Sequence, residues 1–165
     1  MSLKISLKPL ERIVIGGAVV QNGSGRCDLL IENTVPILRE RDILSEKEAD
    51  TPCKRIYFTI QLMYIDEKNL VEYHNAYWKL VRDVLDAAPS TLLLIDPISD
   101  HILGGRYYQA LKLAQKLVAY EQEVVQHVRK ADGSISVGPE DHDDRTGARS
   151  IGSDQGGAHA PAMPE

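Results

Sequence analysis

A chain of 165 residues with a formal net charge of −5 and two cysteines is long enough for one ordinary hydrophobic core, or for two small subdomains that share one. The charge is unevenly placed: residues 131–165 carry seven acidic side chains against Arg145 and Arg149, which leaves the first 130 residues neutral, with 17 basic and 17 acidic groups. A neutral body can build a basic surface only by local segregation of charge. Cys27 and Cys53 have no CxxC spacing and no histidine at ligand spacing, so reduced thiols are expected rather than a disulfide framework or a zinc site. Met1 to Lys8 alternates polar and apolar residues, unlike the apolar centre of a signal peptide. No run approaches the roughly 20 apolar residues that span a bilayer. A soluble, cytoplasmic protein with no membrane partner is the expectation.

In chain order, Ser2 to Lys8 alternates with Leu3, Ile5 and Leu7 on one face, the pattern of a half-buried strand. Pro9, Leu10 and Glu11 turn the chain. Arg12–Ile15 and Ala18–Gln21 read as a hairpin, because the paired Gly16 and Gly17 permit the positive φ of a primed turn. Arg26–Glu32 is a further strand, and Pro36 makes Ile37–Arg39 an edge strand or none. Ile43 and Leu44 add at most a brief strand, before a charged loop from Ser45 to Thr51 that ends at Pro52. Arg55–Tyr64 is rich in β-branched and aromatic residues and reads as the last and longest strand, apolar on both faces.

The period then changes. From Glu67 to Ala88, Leu70, Tyr73 or His74, Tyr77, Val81 and Val84 recur at helical steps. Thr91–Leu103 is ambiguous, with Pro97 expected to interrupt any helix through it. Arg106–Val128 forms a second long amphipathic helix after Gly104 and Gly105, which suggests an antiparallel helical hairpin. Residues 132–165 contain six Gly, three Pro and four Ser and no aromatic residue, the composition of a disordered acidic tail. Its acids could fold back onto a basic sheet as a mobile counter-charge.

No phosphate loop, GxGxxG or GxSxG motif is present. Asp96, Asp100 and His101 cluster near a proline, but helix caps at Asp96 and Ser99 beside a surface histidine explain them better than a general acid–base pair or a metal site. Glu140 to Asp144 reads as a solvated charge run rather than a cation cage. His74, on the helix stripe, suits a satisfied core or interface position. No cofactor or metal is expected, and a non-enzymatic role follows.

The basic side chains of the first part carry more. Arg12, Arg26, Arg39 and Arg41 stud the strands, and Lys54 and Arg55 open the Arg55–Tyr64 segment beside Tyr57 and Phe58. Guanidinium groups on phosphates and rings stacked on unpaired bases would clamp single-stranded RNA. Glu40 and Asp42 alternate with the arginines, so internal ion pairs explain them equally well on composition alone.

The order of several short segments bears on this. Leu3 to Pro9, Glu11 to Gly23 (ERIVIGGAVVQNG), Ile37 to Leu44, Thr51-Pro52, Arg55 to Phe58, Leu62 to Asp66 and Tyr107 to Leu111, continuing to Lys116-Leu117 and Tyr120-Glu121, resemble the flagellum biosynthesis repressor family FlbT in the same order from about residue 2 to residue 128. The resemblance implies a post-transcriptional regulator that acts on flagellin messenger RNA through its 5′ untranslated region, holding down translation and favouring decay, although some members act positively. It also implies a functional link to a second small flagellar regulator, FlaF. The family commonly has Lys-Pro-Gly where this chain has Lys8-Pro9-Leu10, and leucine there favours a type I turn over type II.

The combined expectation is an α+β protein. An N-terminal small antiparallel β-barrel or sheet (residues 1–66, the RNA-binding region) is closed by the Arg55–Tyr64 strand and packs on a C-terminal helical hairpin (67–130), with the disordered tail beyond (131–165). Arg12, Arg26, Arg39, Arg41, Lys54, Arg55 and Tyr57 are the candidate RNA contacts. The alternative is a protein-binding adaptor that uses a helical face or Tyr73, Tyr77 and Trp78, with any effect on RNA indirect; a metal-dependent nuclease is the weakest rival for want of ligands.

Overall fold

Five short strands and four helices follow one another along the chain, with 3₁₀ turns between several of them, in a computed structural model that describes residues 2–132. All but the first two residues of the expected acidic tail lie outside the described residues. β1 (Leu3–Leu7) pairs antiparallel with β4 (Cys27–Ile31), from Leu3 opposite Ile31 to Leu7 opposite Cys27. β2 (Arg12–Ile15) lies between β3 (Ala18–Gln21) and β5 (Ile37–Arg39), antiparallel to both. The β2–β3 turn has φ of 55° at Gly16 and 85° at Gly17, the paired positive values of a type I′ hairpin. A side chain at Gly17 would also meet the Ile65 carbonyl oxygen at 3.1 Å, so glycine lets the hairpin tip lie against the helical layer.

The period-2 alternation of the strands sorts their side chains into two cores. Ile5, Leu7, Ile13 and Ile31 are buried together between the two sheets. On the opposite face of the three-stranded sheet, Val14 and Leu38 join the larger helical core. The result is three layers: the β1–β4 ribbon, the β3–β2–β5 sheet, and the helices. The two sheets stay separate, so of the expected antiparallel barrel or sheet it is the open sheet that forms.

The principal correction concerns Arg55–Tyr64, which lies within an α-helix, α1 (Pro52–Ile65). Thr51 is its N-cap, accepting from the Lys54 amide at 3.3 Å, and Pro52 takes the first turn, where its missing N–H costs nothing. Ile56, Ile60 and Met63 are fully buried, with Cys53, Tyr57, Thr59 and Gln61 close to it. A helix buried over most of its circumference has no polar face to display a 3.6-residue period, and its apolar run then imitates a two-sided strand. Each of those fully buried aliphatic side chains contributes about 1.5–3 kcal/mol. Ile43 and Leu44 form no strand; the Gln61 side chain instead pairs both Leu44 backbone groups, accepting from its N–H at 2.8 Å and donating to its C=O at 2.9 Å.

α2 (Leu70–Ala87), α3 (Leu92–Leu103) and α4 (Tyr107–Asp132) complete the helical layer, so the helical hairpin becomes part of a four-helix arrangement in which α1 packs on α2 and α4, and α3 on α4. Pro97 sits inside α3 without ending it. The carbonyl that loses its helical donor belongs to Leu93, which is 85% exposed, so the lost bond falls on the solvent side of the helix rather than in the core. Asp96 and Ser99 are interior to α3 rather than caps; the Ser99 hydroxyl bonds the Ile95 carbonyl and the Tyr77 hydroxyl. The turn at Lys8–Glu11 also departs from expectation. Leu10 has φ of 60°, and the Glu11 N–H donates to the Lys8 carbonyl at 3.2 Å, the geometry of a type II turn.

Candidate nucleic-acid interface

Three adjoining hollows run from the β1–β4 ribbon to α4. Lys8, Arg26 and Arg39 line the first, Lys8, Arg39 and Arg41 the second, and Arg41 and Lys54 the third. Lys8 and Arg39 are shared by the first two and Arg41 by the last two, so the cations form one continuous strip. Strand and turn geometry produces this line: β1 ends just before Lys8, β4 begins just after Arg26, β5 ends at Arg39, and a 3₁₀ turn over Glu40–Asp42 carries Arg41 outward. Of the residues selected from sequence, Arg26, Arg39, Arg41 and Lys54 are thus brought together. Lys8 was missed, although its position before the Pro9 turn was a usable signal.

Most of these cations have acidic or carbonyl partners. Arg39 is braced by the Ser6 carbonyl and by Glu11, both at 3.0 Å. The Lys8 amide, and after it Arg39, holds the Glu11 carboxyl below its ordinary pKa. Arg12 pairs with Glu40 at 3.3 Å on the rim of the second hollow. Lys54 pairs with Asp50 at 2.8 Å, and the Arg55 Nε donates to the Ala49 carbonyl at 3.3 Å, away from the strip. Arg41 is 81% exposed and only 3.8 Å from Asp42, and Arg26 is exposed with no ion pair among the described residues. Of these pairs Arg12–Glu40 is exposed on both sides, and a pair of that kind contributes about 0–1 kcal/mol, so exchanging the Glu40 carboxylate for a phosphate costs little.

Tyr57 does not offer an open stacking face. Its ring is buried on α1, its hydroxyl donates to the Asp42 carbonyl at 2.6 Å, and burial pushes its pKa up to about 12. The expectation is a ring that stacks on unpaired bases; on the helix its position turns it inward, where it walls the third hollow. Asp42 is a second buried anchor of that hollow, accepting from Lys112 at 3.1 Å and Gln115 at 2.9 Å. These contacts hold the Arg41-bearing turn onto α4. No local sequence signal joined residues so distant along the chain.

The His101 Nδ1 accepts from the Arg106 Nε at 2.8 Å, and Asp96 and Asp100 are exposed on α3. His74 is half-buried and bonds the Tyr107 hydroxyl at 3.1 Å. Tyr77 is fully buried, the Tyr73 hydroxyl donates to Asp66 at 2.7 Å, and Trp78 is partly exposed. Glu121 of α4 reaches the start of α1, accepting from the Thr51 hydroxyl and, at 3.2 Å, from the Cys53 amide. Among the described residues no group of three or more potential metal-ligating side chains converges, and no helix is long and apolar enough to cross a membrane.

The scaffold is therefore a small α+β protein: two antiparallel sheets layered on four helices, with a cationic strip along one side. It belongs to the FlbT family, whose model, described as flagellar protein FlbT, matches residues 3–125. A relative from Bradyrhizobium diazoefficiens, named a probable flagellum biosynthesis repressor protein FlbT 1, is 48% identical over 125 residues, covering 75% of this chain and 85% of its own. One from Caulobacter sp. strain K31, named a probable flagellum biosynthesis repressor protein FlbT, is 40% identical over 130 residues, with 78% and 99% covered. The flagellum biosynthesis repressor protein FlbT of Caulobacter vibrioides is 38% identical over 130 residues, with 78% and 92% covered. No solved structure matches.

Proposed function

We propose that this protein is a cytoplasmic, non-enzymatic repressor of flagellum biosynthesis that binds the 5′ untranslated region of flagellin messenger RNA. The continuous strip Arg26–Lys8–Arg39–Arg41–Lys54 carries the reading, and the repressor names of its relatives support it. A line of cations spaced along a shallow groove follows a single-stranded phosphate backbone. Arg12 joins it at the rim once Glu40 is displaced. Occupying the RNA near the ribosome-binding region blocks ribosome loading and leaves the message open to nucleases.

Binding of the purified protein to the flagellin 5′ untranslated region, against a scrambled RNA of equal length, tests this. Selective binding is expected, with log affinity falling against log salt at a slope of about −0.7 per phosphate contacted. Replacing both Arg39 and Arg41 with Glu is expected to weaken binding by roughly tenfold or more and to flatten that slope. Equal affinity for both RNAs, or an unchanged double variant, refutes it.

A second reading has its own observation. An apolar groove of about 220 Å³ lies between the α1 N-terminus, the end of α2 and α4, walled by Val84, Ala87, Val124 and Val125. This is the adaptor reading moved from the aromatic residues of α2 to a different face, and FlaF is its natural candidate partner. A direct complex with FlaF that survives nuclease treatment, together with no RNA binding, would select it.

A further inference from the structure

Resting on the RNA-binding reading, we propose that the third hollow is a pocket for one unpaired base, which makes the site selective for single-stranded over duplex RNA. The first two hollows are lined mainly by charged side chains, with Leu7, Cys27 and Pro9 among them; the third, of about 240 Å³, has the smaller polar share and a mainly apolar wall. Ile43, Leu44, Val118 and the buried Tyr57 give it apolar walls, and Gln115 and Gln122 of α4 stand at its rim. A phosphate gains nothing from aliphatic walls. A nucleobase does, because it buries a flat apolar face while its edge needs hydrogen-bond partners. Gln115 donates its Nε2 to Asp42 at 2.9 Å, which leaves its carbonyl oxygen to accept from a base edge, and the Gln122 amide is exposed and both donates and accepts.

The charges fit the same occupant. Arg41, 81% exposed, stands at the junction with the second hollow, and Lys54 stands on the wall of the third. A strand lying along the strip would set its phosphates on these two cations and tip the intervening base inward. The pocket is also braced before any ligand arrives: Tyr57 and Asp42 are tied by a 2.6 Å hydrogen bond, and Asp42 is tied to Lys112 and Gln115. Bases stacked and paired inside a duplex cannot enter such a hollow.

The test compares a short single-stranded RNA from the flagellin 5′ untranslated region with the same RNA annealed to its complement, by fluorescence anisotropy. Val118→Trp fills the hollow, and Gln122→Ala removes an exposed rim amide that the fold does not need. Wild type is expected to favour the single strand by about tenfold, the gain of seating one base. Both variants are expected to lose most of that preference while keeping the wild-type salt slope, since no phosphate contact is removed. A variant set that keeps the full preference overturns the pocket but leaves the strip standing. Wild type that binds neither RNA overturns the RNA reading itself. If Val118→Trp loses its helical circular dichroism, Gln122→Ala decides.

Discussion

Leu10 holds φ at 60° because three neighbours fix the backbone around it. Pro9 sets the preceding torsion, the Glu11 N–H closes the turn onto Lys8, and the Leu10 N–H donates to the Gly23 carbonyl at 2.9 Å. A leucine in the left-handed region costs about 1–3 kcal/mol, and with its side chain 61% exposed it recovers little from packing. Replacing it with glycine relieves that strain and forfeits part of the gain to chain entropy. Leu10→Gly is therefore expected to raise stability by about 0.5–1 kcal/mol; an unchanged or lower denaturation midpoint would show that the turn is not strained. The cysteines differ by the same local logic. Cys53 is buried, and burial, with Glu121 second, pushes its thiol up to about 12, whereas Cys27 is half-buried at the β4 edge of the strip. At neutral pH a maleimide probe is expected to modify Cys27 in the native protein and Cys53 only on unfolding. Mass spectrometry of a labelling time course reads this directly, and equal rates would contradict the packing of α1 against α4.

At the scale of elements, α1 depends on a contact from the far end of the chain. Glu121 accepts from the Thr51 hydroxyl and the Cys53 amide at the helix start, where unpaired donors and the helix dipole favour a carboxylate. Glu121→Ala is expected to destabilise the protein by about 1–2 kcal/mol, as loss of a cap does, and to speed Cys53 labelling. Glu121→Gln, which keeps an acceptor, should lose less; an alanine variant as stable as wild type would mean that Thr51 alone caps the helix. The same element marks where sequence reading stopped. The strands were legible because Ser2–Lys8 alternates and Gly16-Gly17 demands a primed turn, and α2 and α4 because their polar faces expose a helical period. In α1 the informative signal is the Thr51-Pro52 start, a cap followed by a first-turn proline, which the sequence reading takes only as the end of a loop before a β-branched and aromatic run. That run is apolar because helices and the three-stranded sheet surround it, a tertiary cause that no window of neighbouring residues contains.

For the whole molecule, the distribution of charge decides which reading survives. A neutral body presents a cationic strip only because folding gathers Lys8, Arg26, the neighbouring Arg39 and Arg41, and Lys54 from four separate places in the sequence. The arginines were legible one by one, but their alignment needed the pairing of β1 with β4 and of β2 with β5, and the Asp42 anchor to α4. The strip's carboxylates then act as competitors for its cations. Glu40 is the most instructive, since it is exposed and holds Arg12 at 3.3 Å beside the second hollow. Glu40→Gln removes one negative charge from the path of the RNA and frees Arg12 for a phosphate, at a stability cost within the small range of exposed pairs. RNA affinity is then expected to rise by roughly two- to fivefold, and the salt slope to steepen by about 0.7 if Arg12 takes up one further phosphate. Arg12→Gln in the Glu40→Gln background should return the slope to its wild-type value. An adaptor that never touches RNA would respond to neither substitution, and a strip that binds without Arg12 would gain affinity with no change of slope. Salt titrations of these variants therefore separate the two readings and place Arg12 inside or outside the interface.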